Sequence, residues 1–289
     1  MTTRRQLFAL SGAALAASAF SASGKTPAAP ADSLRITQIR SATLHVRYGG
    51  VRFLVDPMLS DRHAWPGFKG TVNSEERNPL VHLPMPMADI LDVDAVIVTH
   101  LHEDHWDEGA RRLVPKAIPI FAQNDADAAT LRSQGFTDVR TLSDTEFRGV
   151  RLIRTGGRHG PEVAYKAIGA LLGDVSGVVF KHAMEKTVYL AGDTIWNEDV
   201  AGAIKAHEPD VILLNTGDAR VVGLPVGIIM GTGDVLAVHK AAPGATLMAS
   251  HMEAVNHCTL TRAALRSFAR DNGFTDKLLT PADGETVAL

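Results

Sequence analysis

The stretch Thr99-His100-Leu101-His102-Glu103-Asp104-His105-Trp106-Asp107 closes the apolar run Asp94-Ala95-Val96-Ile97-Val98. An uninterrupted, β-branched run of this length predicts a buried strand over 94–99. His100 and His102 alternate, so on extended backbone they point to the same side, while Leu101 points the other way, into the core. Asp104 and His105 come just after the expected turn, where the chain folds back towards the same point. Three imidazoles and a carboxylate this close together are poor core material. Their best joint use is metal coordination, since imidazole suits zinc, iron and related ions. A solvated loop with incidental histidines does not account for H-x-H-x-D-H at the end of a strongly apolar strand.

Composition narrows the kind of metal site. The chain has 289 residues, 45% of them hydrophobic, which is enough to bury a large core. It has one cysteine, Cys258, so the fold holds without an intrachain disulfide, and a thiolate-rich zinc site is excluded. Any metal is therefore held by nitrogen and oxygen, for which twelve histidines are available. The net charge of −3 comes without a long run of either sign, and nothing in the sequence forms the basic footprint of a nucleic-acid binder.

The opening, Thr3-Arg4-Arg5-Gln6-Leu7-Phe8, leads into an Ala- and Leu-rich apolar run over 7–20, then into Ser21-Ala22-Ser23-Gly24 and a Pro/Ala-rich stretch to Pro30. A charged start, a short apolar centre and a small-residue exit form the pattern of an export signal. The apolar run is short for a membrane span, which takes about 20 residues. The adjacent arginines resemble the twin-arginine signal, whose pathway exports folded proteins. Leu7 stands where that pattern often has Phe, and no Lys follows. Residues 1–30 are thus expected to be signal and linker, with residues 31–289 forming the working domain. The product is expected in the periplasm or outside the cell after transient contact with export machinery. An uncleaved anchor or a terminal helix is the alternative.

Along the rest of the chain, strands are expected over 36–39, 42–48 and 51–55, with Gly49-Gly50 as the tight turn between the last two. Asp56-Pro57 ends this meander. Residues 57–88, with Pro66, Pro79, Pro84 and Pro86, have no period and read as a substrate loop or a structural wrap; His63 and His82 lie within it. Further strands are expected over 118–122, 139–142, 150–154, 168–172, 177–181, 187–191, 211–215 and 246–250. Helices are expected over 125–134 (capped by Asn124 or Asp125), 198–207, 234–241 and 262–272. Each half is a meander followed by alternating helices and strands. Two such halves packed sheet to sheet give an α/β four-layer αββα sandwich of two mixed β-sheets, although the pattern alone allows other α/β layouts.

The cluster at 100–105 resembles the signature of the metallo-β-lactamase fold superfamily, which has this sandwich. The resemblance implies that His100, His102 and a distant histidine hold one metal. It implies that Asp104, His105 and a last distant histidine hold a second, with an aspartate bridging them. His159, in Thr155-Gly156-Gly157-Arg158-His159-Gly160 at a strand exit, matches the third ligand. Asp193, in Ala191-Gly192-Asp193-Thr194, matches the bridge, and Gly192 allows close backbone approach; capping of the next helix is the other role open to Asp193. His251, at the end of Met248-Ala249-Ser250, matches the last ligand. His257 competes for that role and is otherwise a substrate-facing or supporting group. The resemblance also implies that Asp56, at a strand end near the site in this family, orients a ligand histidine.

The mature chain as a whole is similar to the UlaG-like branch, which includes lactonases and phosphodiesterases; Asn215-Thr216-Gly217 and Met230-Gly231-Thr232 fit that branch. The resemblance implies two divalent ions, with zinc expected and manganese or iron accepted by the same donors. It also implies a bridging hydroxide that attacks a small-molecule ester, lactone or phosphodiester. Asp104 would accept a proton, and His257 would donate one or stabilise an oxyanion. Three alternatives remain: a β-lactamase-type amide hydrolase, which generally lacks the bridging aspartate, a mononuclear iron dioxygenase using His100, His159 and Asp193, and a non-catalytic metal-binding protein.

Overall fold

Successive residues of a strand face opposite sides, so a strand buried on both faces divides its apolar residues between two cores. That division sets the layers here. The computed structural model describes residues 34–289; the expected signal over 1–30 lies outside the described residues. In chain order the elements are β1 (Arg35–Arg40), β2 (Thr43–Tyr48), β3 (Val51–Val55), α1 (Met87–Ile90), β4 (Ala95–Val98), α2 (Glu108–Leu113), β5 (Ile120–Ala122), α3 (Asp125–Ser133), β6 (Val139–Thr141), β7 (Asp144–Phe147), β8 (Val150–Thr155), α4 (Glu162–Leu172), β9 (Gly177–Lys181), β10 (Val188–Leu190), α5 (Glu198–His207), β11 (Val211–Asn215), α6 (Thr232–Ala241), β12 (Thr246–Ser250), α7 (Arg262–Asp271), β13 (Leu278–Leu279) and β14 (Thr286–Ala288).

Two seven-stranded sheets result, ordered β14-β1-β2-β3-β4-β5-β6 and β13-β12-β11-β10-β9-β8-β7. Each is antiparallel through its meander and parallel beyond it. Phe53 and Val55 of β3, Ala95 and Ile97 of β4, and Val211 and Leu213 of β11 share one core between the sheets. Their neighbours face outwards. Leu54, Val96 and Val98 pack with Ala110 of α2 and with Ala128 and Leu131 of α3. On the other side, Ile212 and Leu214 pack with Val200 of α5, Val235 of α6 and Leu265 of α7. Helix, sheet, sheet and helix are thus the four expected layers. Each fully buried Val, Leu or Phe contributes about 1.5–3 kcal/mol relative to its exposed state.

Bounds agree closely where periodicity and caps agree. The strands at 211–215 and 246–250 and the helix at 198–207 have the expected ends. Gly49 and Gly50 both take positive φ, 56° and 78°, as the tight hairpin demands. Asn124 caps α3 by accepting from the Asp127 amide. One expectation fails. Residues 168–172 are not a strand but the last turns of α4. Glu162-Val163-Ala164-Tyr165-Lys166-Ala167 supplies good helix formers after Pro161, and the helix continues into the apolar stretch despite a distorted Ile168 (φ −141°, ψ 22°). The strands β7 and β14 escaped the reading because Asp144-Thr145-Glu146 and Thr286-Val287-Ala288 are short outermost strands without a two-sided apolar pattern.

Asp107, the last residue of the opening motif, ties the site turn to the irregular segment. Its carboxylate accepts from the amides of Leu59 (2.9 Å), Ser60 (2.7 Å) and Ala110 (2.8 Å), the last as the cap of α2. Asp107→Ala would strand buried amides, and we expect it to lower the unfolding free energy by roughly 2–4 kcal/mol in urea titration.

Candidate metal centre

The chain reaches one place from several strand ends. β3 and β4 are parallel, and β8, β10, β11 and β12 share a direction, so their carboxyl ends gather at one edge of the sandwich. Open α/β sheets place their ligands at such an edge. Asp56 follows β3, His100 to His105 follow β4, His159 follows β8, Asp193 follows β10 and His251 follows β12. After β4 the backbone turns, with the amides of His105 and Trp106 both donating to the His102 carbonyl. The buried Trp106 ring anchors this turn, donating from Nε1 to Gln134.

All the proposed ligand residues converge. The donor atoms of His100, His102 and His159 lie within 4.8 Å of one another, and so do those of Asp104, His105 and His251. The two triads share no residue. Asp193 stands between them: its Oδ2 lies 3.1 Å from Nε2 of His105, 3.5 Å from that of His159, 3.7 Å from that of His251 and 3.9 Å from that of His100. Its other oxygen accepts from Asn215 Nδ2 at 2.7 Å. Asp193 does not cap α5, because Asn197 does so by accepting from the amides of Asp199 and Val200. Gly192, at φ 71°, is the residue this corner requires, since a Cβ there would lie 2.4 Å from the Ser176 carbonyl oxygen.

Fixed acceptors orient the rings. His102 donates from Nε2 to the Leu171 carbonyl, His105 from Nδ1 to Asp56, and His159 from Nδ1 to the Ile228 carbonyl, each at 2.9 Å. Because these partners only accept, the neutral form of each ring carries its lone pair on the opposite nitrogen, the one turned to the centre. Asp56 also accepts from the Thr99 amide and hydroxyl at 2.7 Å each, so one carboxylate sets both the strand end and the His105 ring. His251 takes φ 61° and donates its amide to the Ser41 carbonyl, which joins the β1–β2 turn to the end of β12. Its Nδ1 lies 3.4 Å from both Ser41 Oγ and Cys258 Sγ.

The electrostatics fit a cation. Asp56, Asp104 and Asp193 are buried, and their ion-pair partners are histidines. Burial opposes protonation of His105, yet Asp193 and Asp56 override it and raise the ring to about 10. His251 is likewise raised, against burial, by Asp193. Burial, with the nearby rings of His105 and His102, pushes His100 well below its usual value, and burial holds His159 down to about 4. Against the burial that would raise them, Asp193 and Asp104 stay far below the usual carboxylate range because His105 and His251 face them. Without metal, then, protons on His105 and His251 balance the carboxylates. Divalent cations balance the same charge and leave every imidazole neutral, which is the form that ligates.

The cluster forms the floor of a cavity of about 700 Å³. His102, Asp104, His159 and His257 line its base, and Phe68, Ile168, Leu171, Leu172, Val221 and Ile228 form apolar walls. The expected substrate loop reaches it through residues 68–71, whereas His63 and His82 are not among the lining residues. His257 is buried, its ring stands edge-on to Phe68 with centroids 4.8 Å apart, and its Nδ1 has no hydrogen-bond partner. Burial lowers His257 to about 4, so it is neutral at pH 7.

Sequence reasoning missed the carbonyls of Leu171 and Ile228 and the Ser41 turn, because a main-chain acceptor carries no residue-type signal. Asn215 was noted without a role; an amide at the end of an apolar strand beside Gly-Asp-Thr is the trace it leaves.

Residues 51–252 match the model of the beta-lactamase superfamily domain. The chain is 46% identical to the UPF0173 protein YddR of Bacillus subtilis over 258 residues, covering 89% of this chain and 100% of that protein. Among solved structures it resembles an isothiocyanate hydrolase from Delia radicum gut bacteria (49% identity, TM-score 0.85, 88% of this chain and 99% of that one). It also resembles a possible metal-dependent hydrolase from Veillonella parvula (43% identity, TM-score 0.87, 89% and 100%).

Two outcomes follow from the centre. Asp56→Asn removes the acceptor of His105 Nδ1 while keeping shape, and chelator competition should show metal affinity reduced about 10–100-fold. Since His105, raised to about 10, and His251, raised well above its usual value, hold protons at neutral pH when metal is absent, loading at pH 7–8 should release protons, and apparent affinity should rise with pH. Calorimetry in buffers of different ionisation enthalpy measures that release.

Proposed function

The chain belongs to the beta-lactamase superfamily domain family and is a metal-dependent hydrolase, and from that premise we propose that it uses two divalent cations to hydrolyse uncharged, apolar small molecules with an electrophilic carbon. The observation that carries the two-cation reading is Asp193 Oδ2, which lies within 3.9 Å of ring nitrogens from both triads. In this reading His100, His102 and His159 hold one ion, Asp104, His105 and His251 hold the other, and Asp193 serves both. Zinc is the expected metal, and manganese or iron suit the same donors. Bound there, the ions would acidify a shared water and polarise the substrate. A one-iron arrangement on His100, His159 and Asp193 would leave His105 and His251 without a role.

The cavity supports the substrate class. Its walls are aliphatic and aromatic, and among the described residues Lys69 is the one lysine or arginine that lines it, so away from the proposed cations the flanking groups of a phosphodiester or sugar phosphate find few charged partners while apolar groups find a matching wall. Leu171 and Val222, 72% and 67% exposed, form an apolar lip. An organic isothiocyanate fits this chemistry, and a solved structure 49% identical to this chain is of an isothiocyanate hydrolase. Water adds its oxygen to the central carbon of R–N=C=S, its protons pass to the nitrogen, and cleavage of the carbon–nitrogen bond yields R–NH₂ and carbonyl sulfide. Asp104, at the cavity base, takes the proton from water. The neutral His257 ring holds the substrate heteroatom by hydrogen bond and does not act as an imidazolium. Uncharged esters and lactones present the same kind of carbon. The arginine pair and apolar run of residues 1–30 support export of the folded enzyme.

The test is turnover of benzyl isothiocyanate, an aryl ester, a lactone, a bis-aryl phosphodiester and a β-lactam, with and without chelator. We expect chelator-sensitive release of benzylamine, and neutral substrates outpacing the phosphodiester. Preference for the phosphodiester or the β-lactam would refute the substrate class. His257→Ala should lower kcat/KM roughly 100-fold, and unchanged turnover would remove His257 from the reaction.

A further inference from the structure

His257 is preceded by a residue whose side chain is fully committed. Asn256 is 2% exposed. Its Oδ1 accepts from the Phe68 amide (3.2 Å) and from Asn78 Nδ2 (2.8 Å). Its Nδ2 donates to Thr71 Oγ1 (2.9 Å) and to the Val72 carbonyl (2.8 Å). An amide has two acceptor and two donor places, and all four are filled. The main chain adds two more bonds: the Asn256 amide donates to Asn78 Oδ1 (2.8 Å), and its carbonyl accepts from Asn73 Nδ2 (3.1 Å).

Every one of these partners lies in 68–78, a segment with no helix or strand of its own. Residues 68–71 are one wall of the cavity, and the Phe68 ring rests edge-on against His257. Main-chain bonds hold the middle of the segment, where the Val72 amide donates to the Arg220 carbonyl and the Val222 amide to the Gly70 carbonyl; the Phe68 end and the Asn73 and Asn78 side have no ladder towards the site and are placed there by Asn256. Asn256 and His257 are joined by one peptide bond, so the amide that places the wall and the ring that lines the floor cannot drift apart.

We infer that Asn256 is the positioning residue that sets the gap between the Phe68 wall and His257, and through it the substrate selectivity of the cavity. It touches no reacting atom. The consequence reaches past the protein's general chemistry: loosening Asn256 weakens capture of aryl substrates and spares the chemical step. The inference rests on the proposed apolar substrate class for its kinetic readout only.

Asn256→Asp is the incisive variant, because it keeps the acceptors for Phe68 and Asn78 and loses the donors to Thr71 and Val72. We expect KM for benzyl isothiocyanate to rise at least tenfold, kcat to change less than threefold, KM for methyl isothiocyanate to move little, and metal content per chain to stay as in the parent. Equal KM values, or a fall confined to kcat or to metal content, would overturn the inference. A second arm is independent of turnover. The uncharged fluorophore N-phenyl-1-naphthylamine is titrated into the protein, and the signal removed by Phe68→Ala is scored as cavity binding. Asn256→Asp should weaken that component at least fivefold, and unchanged affinity contradicts the inference. If no isothiocyanate is turned over, the substrate proposal fails and this arm alone decides the role of Asn256.

Discussion

A carboxylate buried away from water must be balanced by positive charge held close to it, because the uncompensated ion is several kcal/mol too costly to keep. Asp56, Asp104 and Asp193 impose that condition together, at one edge of the sandwich, and the groups paired with them are imidazoles. The rest of the centre follows from it. Rings forced to stay neutral, such as His159, lose their protonated form to burial, and rings facing carboxylates, such as His105, keep theirs until a cation takes the proton's place. The same demand accounts for acceptors behind the rings, since a lone pair points at the cation only if the other nitrogen is held.

The fold supplies this arrangement through strand direction. Parallel neighbours bring β3 with β4, and β10 with β11 and β12, to a common edge, and each strand delivers its next residue there. Two sheets are needed, because Asp193 and His251 arrive from one and His100 to His105 from the other. Hydrogen bonds suture the sheets at the site: the Ser41 carbonyl receives the His251 amide and the Ser250 hydroxyl, and the Ser176 hydroxyl donates to the Thr99 carbonyl. Packing elsewhere, chiefly the shared apolar core, holds those ends in register.

Much of this was legible in the residues. An alternating H-x-H after a buried strand says that two rings share a side, and the resemblance to the metallo-β-lactamase signature singled out His159, Asp193 and His251, each of which follows a strand. What was not legible is physical in origin. The apolar run at 168–172 carries no helix signal by itself and is helical because Glu162 to Ala167 start the turn that it continues. Leu171 and Ile228 act through carbonyls that every residue possesses. The segment 57–88 has no period, and its path is set by side chains distant in sequence, Asn256 and Arg40 among them, the latter donating to the carbonyls of Met58, Ser60 and Val81.

In the proposed reading, a cavity with apolar walls above so polar a floor separates binding from chemistry: the walls would select by shape and desolvation, and the floor would act on the electrophilic carbon brought to it. The central claim is that two cations share Asp193, and anomalous scattering measures it directly. On crystals of protein purified without added metal, data collected across the manganese, iron and zinc edges should show two peaks. One should be enclosed by His100, His102 and His159, the other by Asp104, His105 and His251, with Asp193 between them. A single peak, at either triad, would contradict the account.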